Sequence, residues 1–332
     1  MASFSPCGFK LFGRSVTKMR NGLAFVVPFL MAACCLNAAE SGTFVAVGAE
    51  GTILKTIDSG TTWSTRPSGT TRTLRGVFFS EGKIGTAVGA HGTILRTTDA
   101  GDTWTSQTSG TQNDLCGVFF ISPRTGTAVG TNATIVHTTD GGAKWTQQPS
   151  PSGRPLSAQK FCGVFFSAPE RGTIMGLDGL VLHTDNGGAA WSLESGGVRN
   201  GLVRVVGNQS GREVAVGGGG TILLRTELGG PWTIRTSPTA EFLYSISFAD
   251  TRREVAVGSH GVILRTTDGG QSWTSQSSGT KNHLLGVSMS TNTGIAVGFY
   301  GTILRTLDWG VTWTGQASGS DAHLYGVSSC GR

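Results

Sequence analysis

The sequence has little charge of either sign, since Asp, Glu, Lys and Arg make up only 14% of its 332 residues. The formal net charge of +6 includes four basic residues, and no acidic one, within residues 1–39. The rest of the chain has 22 basic residues, which are the 26 without these four, against 20 acidic ones. A surplus of two basic residues is too small to indicate a basic surface that binds nucleic acid. Bulk charge therefore gives no support to a nucleic-acid-binding function.

Cysteine is scarce, and its spacing excludes a disulfide-rich or zinc-stabilised domain. Three of the six cysteines lie in the first 39 residues, which leaves Cys116, Cys162 and Cys330. These three are an odd number at wide spacing, unlike a disulfide framework. The chain also has no CxxC or HxxxH spacing of the kind that binds zinc. We expect no metal and no cofactor.

Helical periodicity is missing as well, because no ten-residue stretch places apolar side chains at helical spacing. Glycine is abundant instead, at 52 residues, and hydrophobic residues reach 38%. This composition is too apolar for a disordered chain and too polar for a protein with many membrane spans. Short segments rich in Val, Ile, Phe, Thr and Trp lie between Gly, Asp and Ser, which is typical of short strands.

A thirteen-residue phrase recurs along the chain and divides it into seven units. It reads GTILRTTDAGDTW at 92–104, GVILRTTDGGQSW at 261–273 and GTILRTLDWGVTW at 301–313. The phrase ends in Trp, and successive copies of this Trp are 40, 41 or 46 positions apart. A full unit contains four candidate strands, which in the second unit are LRGVFF, TAVG, GTILRT and WTSQTSG. Four antiparallel strands per unit, seven times over, predict the blades of a β-propeller.

The two ends of the repeat array are complementary. The first unit starts at FVAVG (44–48) and lacks the LxGVxF strand that opens the other units. The chain finishes with an additional copy of that strand, LYGVSS at 324–329. We expect this strand to complete the first blade, because a closed ring leaves no sheet edge exposed. The predicted fold is all-β, a seven-bladed β-propeller of four-stranded antiparallel blades spanning 40–332.

Residues 1–39 are predicted to be a signal peptide. A cationic segment ending in KMR precedes the apolar run LAFVVPFLMAACCL at 23–36, which is too short for a spanning helix. Met19 is an alternative start to Met1, because MRNGLAFVV already forms a complete signal beginning. LMAAC at 30–34 resembles a lipoprotein box, so lipidation of Cys34 is the alternative to simple cleavage. We expect export to the periplasm or the extracellular space.

The segment T-x-D-x-G-x-x-W resembles the Asp-box, also called the bacterial neuraminidase repeat. With the AVG and LxGVxF strands around it, the chain from about 42 to 329 is similar to the photosystem II stability/assembly factor family of propellers. The Asp-box alone also occurs in sialidases, xyloglucanases and sortilin-like receptors. The resemblance implies a scaffold that docks a partner on an arginine-rich surface.

Seven copies of the Asp-box favour a structural role, since an active site is rarely built sevenfold. The Asp carboxylate can accept backbone N–H bonds, the Gly permits a left-handed turn, and the Trp buries a large ring. In units four and five the Asp is replaced by Asn or Glu, which a redundant structural motif tolerates. The predicted structural residues are Asp58, Trp63, Asp99, Trp104, Asp140, Trp145, Asn186, Trp191, Glu227, Trp232, Asp268, Trp273, Asp308 and Trp313.

A cationic ring is the predicted partner-binding site. The residue after each GTIL segment occupies an equivalent place on each blade, beside the Asp-box turn. These residues, with the Arg one place later in unit five and an additional Trp in the last turn, are Lys55, Arg96, His137, His183, Arg225, Arg265, Arg305 and Trp309. Such a ring could receive a partner that carries carboxylates. The alternative is that each cation bonds to a carbonyl or carboxylate of the neighbouring blade, and that the Trp covers the edge of its blade.

A second ring follows the Leu of each first strand, on the face opposite the Asp-boxes. Its members are Arg75, Cys116, Cys162, Val203, Tyr244, Leu285 and Tyr325, and we expect them to surround the mouth of the central channel. Cys116 and Cys162 lie at the same level in adjacent blades. We expect them to be free buried thiols, because the Cα atoms of neighbouring inner strands are predicted to exceed the roughly 7 Å that a disulfide tolerates.

The leading hypothesis is a non-enzymatic, extracytoplasmic and monomeric scaffold that assists the assembly or stability of a protein partner, such as a membrane complex or its subunits. Membrane contact is expected only through the lipid on Cys34. The alternative is a carbohydrate-binding or sialidase-like glycoside hydrolase propeller. A hydrolase would need a pair of carboxylates, or a Tyr with a carboxylate partner, in one cleft. Tyr244 and Tyr325 are at the mouth, but no acidic residue shares their register.

Overall fold

Short apolar runs between glycine-rich turns form seven four-stranded antiparallel sheets in the part of the chain that the computed structural model describes, residues 42–149, 151 and 159–330. The predicted signal peptide, with Met1, Met19 and Cys34, lies outside these residues. Each sheet is one blade, and in blades 2 to 7 the strands follow the chain from the channel outward. The predicted seven-bladed propeller is confirmed.

Every blade consists of an inner strand at the channel, two middle strands and an outer strand. From the inside outward, blade 1 comprises Leu324–Ser329, Phe44–Gly48, Ile53–Thr56 and Ser64–Thr65; blade 2, Leu74–Glu81, Ile84–Gly89, Ile94–Thr97 and Thr105–Gln107; blade 3, Leu115–Phe120, Gly126–Gly130, Ile135–Thr138 and Thr146–Gln147; blade 4, Phe161–Phe166, Gly172–Gly176, Leu180–Thr184 and Ser192–Ser195. Blade 5 comprises Leu202–Gly207, Glu213–Gly217, Ile222–Arg225 and Thr233–Arg235; blade 6, Leu243–Phe248, Glu254–Gly258, Ile263–Thr266 and Thr274–Gln276; blade 7, Leu284–Ser290, Thr293–Gly298, Ile303–Thr306 and Thr314–Gln316.

One-turn 3-10 helices join the second and third strands of six blades. The second residue of each turn has a positive φ of 52° to 63°, and the glycine that follows it is also left-handed. The turns are Ala49–Gly51, Ala90–Gly92, Leu177–Gly179, Gly218–Gly220, Ser259–Gly261 and Phe299–Gly301. In the described part of the chain, no helix has the length and apolar character that a bilayer crossing requires.

The C-terminal strand closes the ring inside blade 1. Phe44 pairs with Ser329, Val45 with Ser328 and Ala46 with Val327 in an antiparallel ladder. The same strand packs against the inner strands of blades 2 and 7. The closure predicted from the two half-units is therefore confirmed, and both ends of the propeller lie in one sheet.

The hydrophobic core is divided among the seven blade-to-blade interfaces. Each buried cluster combines strands of two neighbouring blades, and each includes or contacts an Asp-box Trp. Between blades 7 and 1, for example, Ile295 and Ile303 pack with Phe44 and Leu324, and Trp63 covers the cluster. The stability of each blade thus depends on both of its neighbours.

Two kinds of side-chain contact join the inner strands of neighbouring blades, which share no backbone hydrogen bonds of a sheet. On one side of the ring, the rings of Phe78, Phe119 and Phe165 pack in tilted and edge-to-face contacts across blades 2, 3 and 4, with centroids 4.8 and 5.2 Å apart. On the other side, serine hydroxyls accept backbone N–H bonds from the next blade. Ser247, for example, accepts from Met289 at 3.0 Å, and Ser288 accepts from Ser329 at 3.0 Å.

Candidate functional site

The Asp-box carboxylate is the centre of a small network of hydrogen bonds. In blade 2, Asp99 Oδ1 accepts the hydroxyl of Thr97 at 2.7 Å and the N–H of Thr103 at 2.9 Å, and Oδ2 accepts the Thr103 hydroxyl at 2.6 Å. The Thr97 hydroxyl in turn accepts the N–H of Gly101, and the Trp104 indole donates to the carbonyl of Gly101 at 3.1 Å. All of these groups hold the turn together. The corresponding turns are built around Asp58, Asp268 and Asp308.

The divergent boxes keep part of this network. Asn186 Oδ1 accepts the hydroxyl of Thr184 at 2.9 Å and the N–H of Ala190 at 2.8 Å, which are the bonds that Oδ1 of Asp makes elsewhere. For comparison, Oδ1 of Asp140 in the regular box of blade 3 accepts the same two bonds, from the Thr138 hydroxyl and from the N–H of Lys144. In blade 5, where Glu227 replaces Asp, the Arg225 guanidinium lies 4.4 Å from the centre of the Trp232 ring. An amide can therefore replace the carboxylate in the turn.

The Asp-box carboxylates have low pKa values. Burial raises the pKa of Asp99, but the hydrogen bonds from Thr103, Thr97 and the turn backbone together outweigh it and lower the pKa to about 2. The pKa values of Asp58 and Asp268 fall to about 2 by the same balance. The unfolded value is about 3.9, so the ionised form stabilises the fold above about pH 4, and this contribution is lost as pH falls toward 2.

Replacing Asp99 with Asn should reduce the acid sensitivity of folding. Asn186 shows that an amide keeps the two Oδ1 bonds, so we expect a loss of about 1 kcal/mol or less at pH 7. Since the amide does not titrate, the free energy of unfolding of Asp99→Asn should fall less than that of the wild type between pH 4 and 2. Urea unfolding at several pH values measures both quantities. An equal slope in the two proteins would contradict the role given to the carboxylate.

Three members of the cationic ring are buried between blades. The Lys55 ammonium lies 2.8 Å from Asp102 of the next blade, and Lys55 is only 4% exposed. Arg96 donates to the carbonyl of Pro123, also in the next blade, at 2.5 Å. Arg225 is 2% exposed and pairs with glutamates of blades 4 and 5. These contacts correspond to the alternative interpretation, in which each cation bonds to a neighbouring blade.

The other members of the ring are half-buried. His137 Nδ1 lies 3.0 Å from the Thr127 hydroxyl, and burial lowers the pKa of His137, which favours the neutral ring. His183 contacts Asp185 of its own blade at 3.1 Å. Arg265 and Arg305 are the ring members left to offer charge at this end of the propeller, and Arg265 already donates to a main-chain carbonyl at 2.8 Å. The partner-binding role of the ring stays a prediction.

Trp309 is 38% exposed and joins blades 6 and 7. Its carbonyl oxygen accepts the Arg265 bond, and its ring lies 4.6 Å from the Arg253 guanidinium carbon. Leu307 and Val311 beside it are also exposed. The cation–π contact with Arg253 shows that the ring covers the edge of the neighbouring blade, while one side remains accessible.

The channel-mouth ring is formed by a bulge in each inner strand. The ladder register shifts between Leu74 and Gly76 in blade 2, which leaves Arg75 outside the pairing, and the same shift recurs in the other blades. A bulge re-aims the side chain of the unpaired residue. The seven predicted ring residues are those at the bulges, and all seven line one cavity of about 360 Å³ at the mouth of the channel. We refer to it as the mouth cavity.

The mouth cavity is cationic on one side and aromatic on the other. Arg75, Lys160 and Arg204 line it, and its described lining contains no Asp or Glu. Arg75 is held by Asp114 at 3.1 Å, and that carboxylate also accepts the N–H of His91. The cavity thus combines positive charge with apolar surface, which suits a ligand that carries a carboxylate next to apolar groups.

The aromatic side of the mouth cavity extends across blades 6 and 7. Phe242 stacks on Tyr244 with centroids 4.7 Å apart, and the contacts continue through His283 to Phe299 at 5.1 Å. The strip ends at the exposed Tyr300. The charge-bearing and aromatic side chains at positions outside the repeat consensus, Lys160, Arg204, Phe242 and Phe299, were not identified from the sequence.

Two groups of titratable side chains are buried outside the mouth cavity. Glu254 is fully buried and pairs with Arg212 of blade 5, and Glu213 lies 3.6 Å from Arg225 and accepts the Thr173 hydroxyl at 3.0 Å. Burial raises the pKa of Glu254 to about 7 against the opposing effect of Arg212. Among the described residues, no three His, Cys, Asp or Glu side chains are grouped as metal ligands. The acidic groups are thus part of the blade interfaces.

The fold is shared with several solved structures. YCF48 from Cyanidioschyzon merolae has a TM-score of 0.63 and 20% identity over 76% of this chain and 88% of that chain. A structure of YCF48 bound to a D1 peptide has a TM-score of 0.64 and 18% identity over 80% and 88%. The GH74 xyloglucanase from Xanthomonas campestris has a TM-score of 0.64 and 13% identity over 88% of this chain and 53% of that chain. At sequence identities of 20% or less, these similarities establish a shared fold only.

The sequence pattern of one family matches most of the repeat array. This family is described as photosynthesis system II assembly factor YCF48, and the matched residues are 98–195 and 224–320. The comparison with curated proteins finds no match. Because the matched segments cover more than half of the 332 residues, the chain belongs to the YCF48 family of photosynthesis system II assembly factors.

Proposed function

We propose that this protein is a non-enzymatic scaffold that binds a peptide segment of a protein partner in the mouth cavity. The observation that carries the proposal is the composition of the cavity, which has three cationic side chains, an aromatic side and no described carboxylate. A peptide that carries a carboxylate, at an acidic side chain or at its C-terminus, complements this surface. The family relative solved with a D1 peptide supports a peptide ligand.

The residues that line the cavity also support a function other than glycoside hydrolysis. Retaining and inverting glycosidases need two carboxyl groups on either side of the scissile bond, and a sialidase-like site needs a carboxylate beside its Tyr. Tyr244 and Tyr325 line the mouth cavity, but the described lining offers them no carboxylate partner. The Asp-box carboxylates are occupied by their turns.

We further propose that the scaffold acts outside the cytoplasm on a membrane complex or its subunits. This part of the proposal depends on the signal peptide predicted for residues 1–39 and on the family membership. Sequencing the N-terminus of the protein recovered from its host envelope separates cleavage after the small residues from lipidation at Cys34.

Reversing charge in the mouth cavity should weaken peptide binding. With a fluorescent D1 peptide as the probe, Lys160→Glu combined with Arg204→Glu should raise Kd by at least about tenfold, or about 1.4 kcal/mol, because attraction becomes repulsion. Wild-type binding should also weaken with added salt, since both cations are partly exposed. Fluorescence anisotropy measures both effects, and thermal unfolding verifies that the variant is folded.

The matched control reverses an exposed arginine on the opposite face. Arg124 precedes the second strand of blade 3, and its carbonyl oxygen accepts the N–H of Gly141 in the Asp-box turn. Arg124→Glu should leave Kd unchanged. If Arg265→Glu and Arg305→Glu abolish binding while the mouth variants bind normally, the site is the cationic ring and the proposal for the mouth is wrong.

A further inference from the structure

Two adjacent inner strands carry the same segment, CGVFF, at 116–120 and 162–166. In each, the cysteine is the bulged residue, so its side chain leaves the ladder and turns to the mouth cavity. Both are free thiols, as the sequence predicts, but they are half-buried where burial was expected. The prediction is therefore confirmed for the free thiols and wrong only for their full burial, because the bulge turns both side chains to the mouth cavity.

The two strands approach closely at this level. A Cβ on Gly117 would lie 2.4 Å from the carbonyl oxygen of Cys162, so only glycine fits between the strands there. A Cβ at the corresponding position of the preceding blade, Gly76, would lie 3.0 Å from the carbonyl oxygen of Cys116. The absence of a side chain at Gly117 lets the two strands approach, and both bulged cysteines lie in the wall of the same cavity.

The surroundings of the pair favour a thiolate on one of its members. The hydrogen bond from Cys162 lowers the pKa of Cys116, burial opposes this, and Lys160 and Arg75 add to the lowering, which brings the pKa to about 7. The same hydrogen bond and burial raise the pKa of Cys162, which stays protonated. Cys116 is therefore the member of the pair that ionises more readily, and a thiolate is the form that reacts with an oxidant.

We propose that Cys116 and Cys162 form a site of reversible oxidation by hydrogen peroxide, in which Cys116 reacts first and Cys162 resolves the product into a disulfide. The argument for this modification site does not depend on the proposed peptide-binding function. The pair lines the same cavity, so its oxidation state changes two of the seven side chains at the mouth.

The reaction balances with peroxide as the oxidant. The Cys116 thiolate attacks one peroxide oxygen, the O–O bond breaks, and the hydroxide that leaves takes a proton from solvent to give water. Cys116 is now a sulfenic acid. The Cys162 sulfur attacks the Cys116 sulfur, the S–O bond breaks, and the departing hydroxide takes the Cys162 proton to give a second water. Two thiols are oxidised to one disulfide, and one peroxide is reduced to two waters.

The test uses the reduced full-length chain, equimolar hydrogen peroxide at pH 7, alkylation of the remaining thiols and peptide mass spectrometry. We expect a peptide pair joined through Cys116 and Cys162, with the loss of two hydrogen atoms, which dithiothreitol separates. In Cys162→Ser the sulfenic acid should persist at Cys116 and be trapped by dimedone. In Cys116→Ser the link and the dimedone adduct should both be lost.

The buried thiol provides the control. Cys330 is 1% exposed, so Cys330→Ala should leave the link between the other two cysteines unchanged. A wild-type chain whose Cys116 and Cys162 both remain alkylated after peroxide would overturn the proposal. So would a link that involves Cys330, or a Cys162→Ser protein that gives no dimedone adduct at Cys116.

Discussion

Removing residues 324–332 should lower the thermal unfolding temperature by more than about 10 °C or leave the protein insoluble. The deletion takes the inner strand from blade 1, so the strand Phe44–Gly48 loses its ladder partner. It also removes Leu324 and Val327, which are 0% and 6% exposed, from the interface of blades 7 and 1. Each buried apolar side chain contributes about 1.5–3 kcal/mol, within a total stability of about 5–15 kcal/mol.

The loss should extend beyond blade 1, because the missing strand also packs against the inner strands of blades 2 and 7. The strand Phe44–Gly48 would then have an unpaired edge, which favours aggregation. Differential scanning calorimetry and solubility measure the effect, and deletion of residues 331–332 alone is the control that keeps the strand. Adding the peptide 324–332 in trans should recover part of the stability. Unchanged unfolding of the truncated chain would refute the role of closure.

Replacing Arg212 with Ala should reduce the free energy of unfolding by about 3–5 kcal/mol, because it leaves the carboxylate of Glu254 buried without a partner. The Arg212 side chain is 13% exposed and that of Glu254 is fully buried. Arg212 also lies over the Phe248 ring, 5.0 Å from its centre, so the substitution opens the packing between blades 5 and 6. Urea unfolding at pH 8 measures the loss.

The destabilisation by Arg212→Ala should be smaller at pH 5 than at pH 8. Burial already raises the folded pKa of Glu254 to about 7, and losing the arginine raises it further. A carboxyl whose folded pKa exceeds its unfolded value of about 4.3 loses stability as pH rises through that interval. Adding Glu254→Gln should therefore restore part of the stability at pH 8.

Arg171→Ala, which breaks a half-exposed pair with Asp185, is the control and should cost about 1 kcal/mol or less. Equal losses from Arg212→Ala and Arg171→Ala would contradict this account.

Most of the fold could be predicted from the spacing of the repeats in the sequence. The spacing of the Trp residues predicted seven blades, and the half-units at the two ends predicted the strand that pairs with Phe44–Gly48. Register also predicted which residues share the channel mouth, although it did not show the bulge that turns Arg75 and its counterparts there. Equivalent positions on repeats must lie on a common circle, and this much follows from the sequence alone.

The accessibility of a side chain could not be read from register. Lys55 and Arg96 occupy the predicted circle, but the spacing of adjacent blades decides that they contact the next Asp-box turn or loop instead of solvent. The burial of Glu254, by contrast, could have been predicted from the alignment of the repeats. Glu254 aligns with Gly85, Gly126, Gly172 and Gly294 in other blades, so a charged residue stands where the repeat has the smallest one. A departure of this kind at a core position indicates a buried ion pair.

The seven bulges separate side chains that line the mouth cavity from side chains that hold the blades together. The position before each bulge is Leu or Phe in every blade, and the position after it is mostly Gly, whereas the bulged residues are Arg, Cys, Cys, Val, Tyr, Leu and Tyr. Since a bulged residue makes no ladder bonds, its identity can change with little effect on the sheet. The mouth therefore behaves as seven independently adjustable positions on a constant frame. Substitutions at these positions should therefore change the lining of the mouth cavity one blade at a time while the ladders of the inner strands are kept.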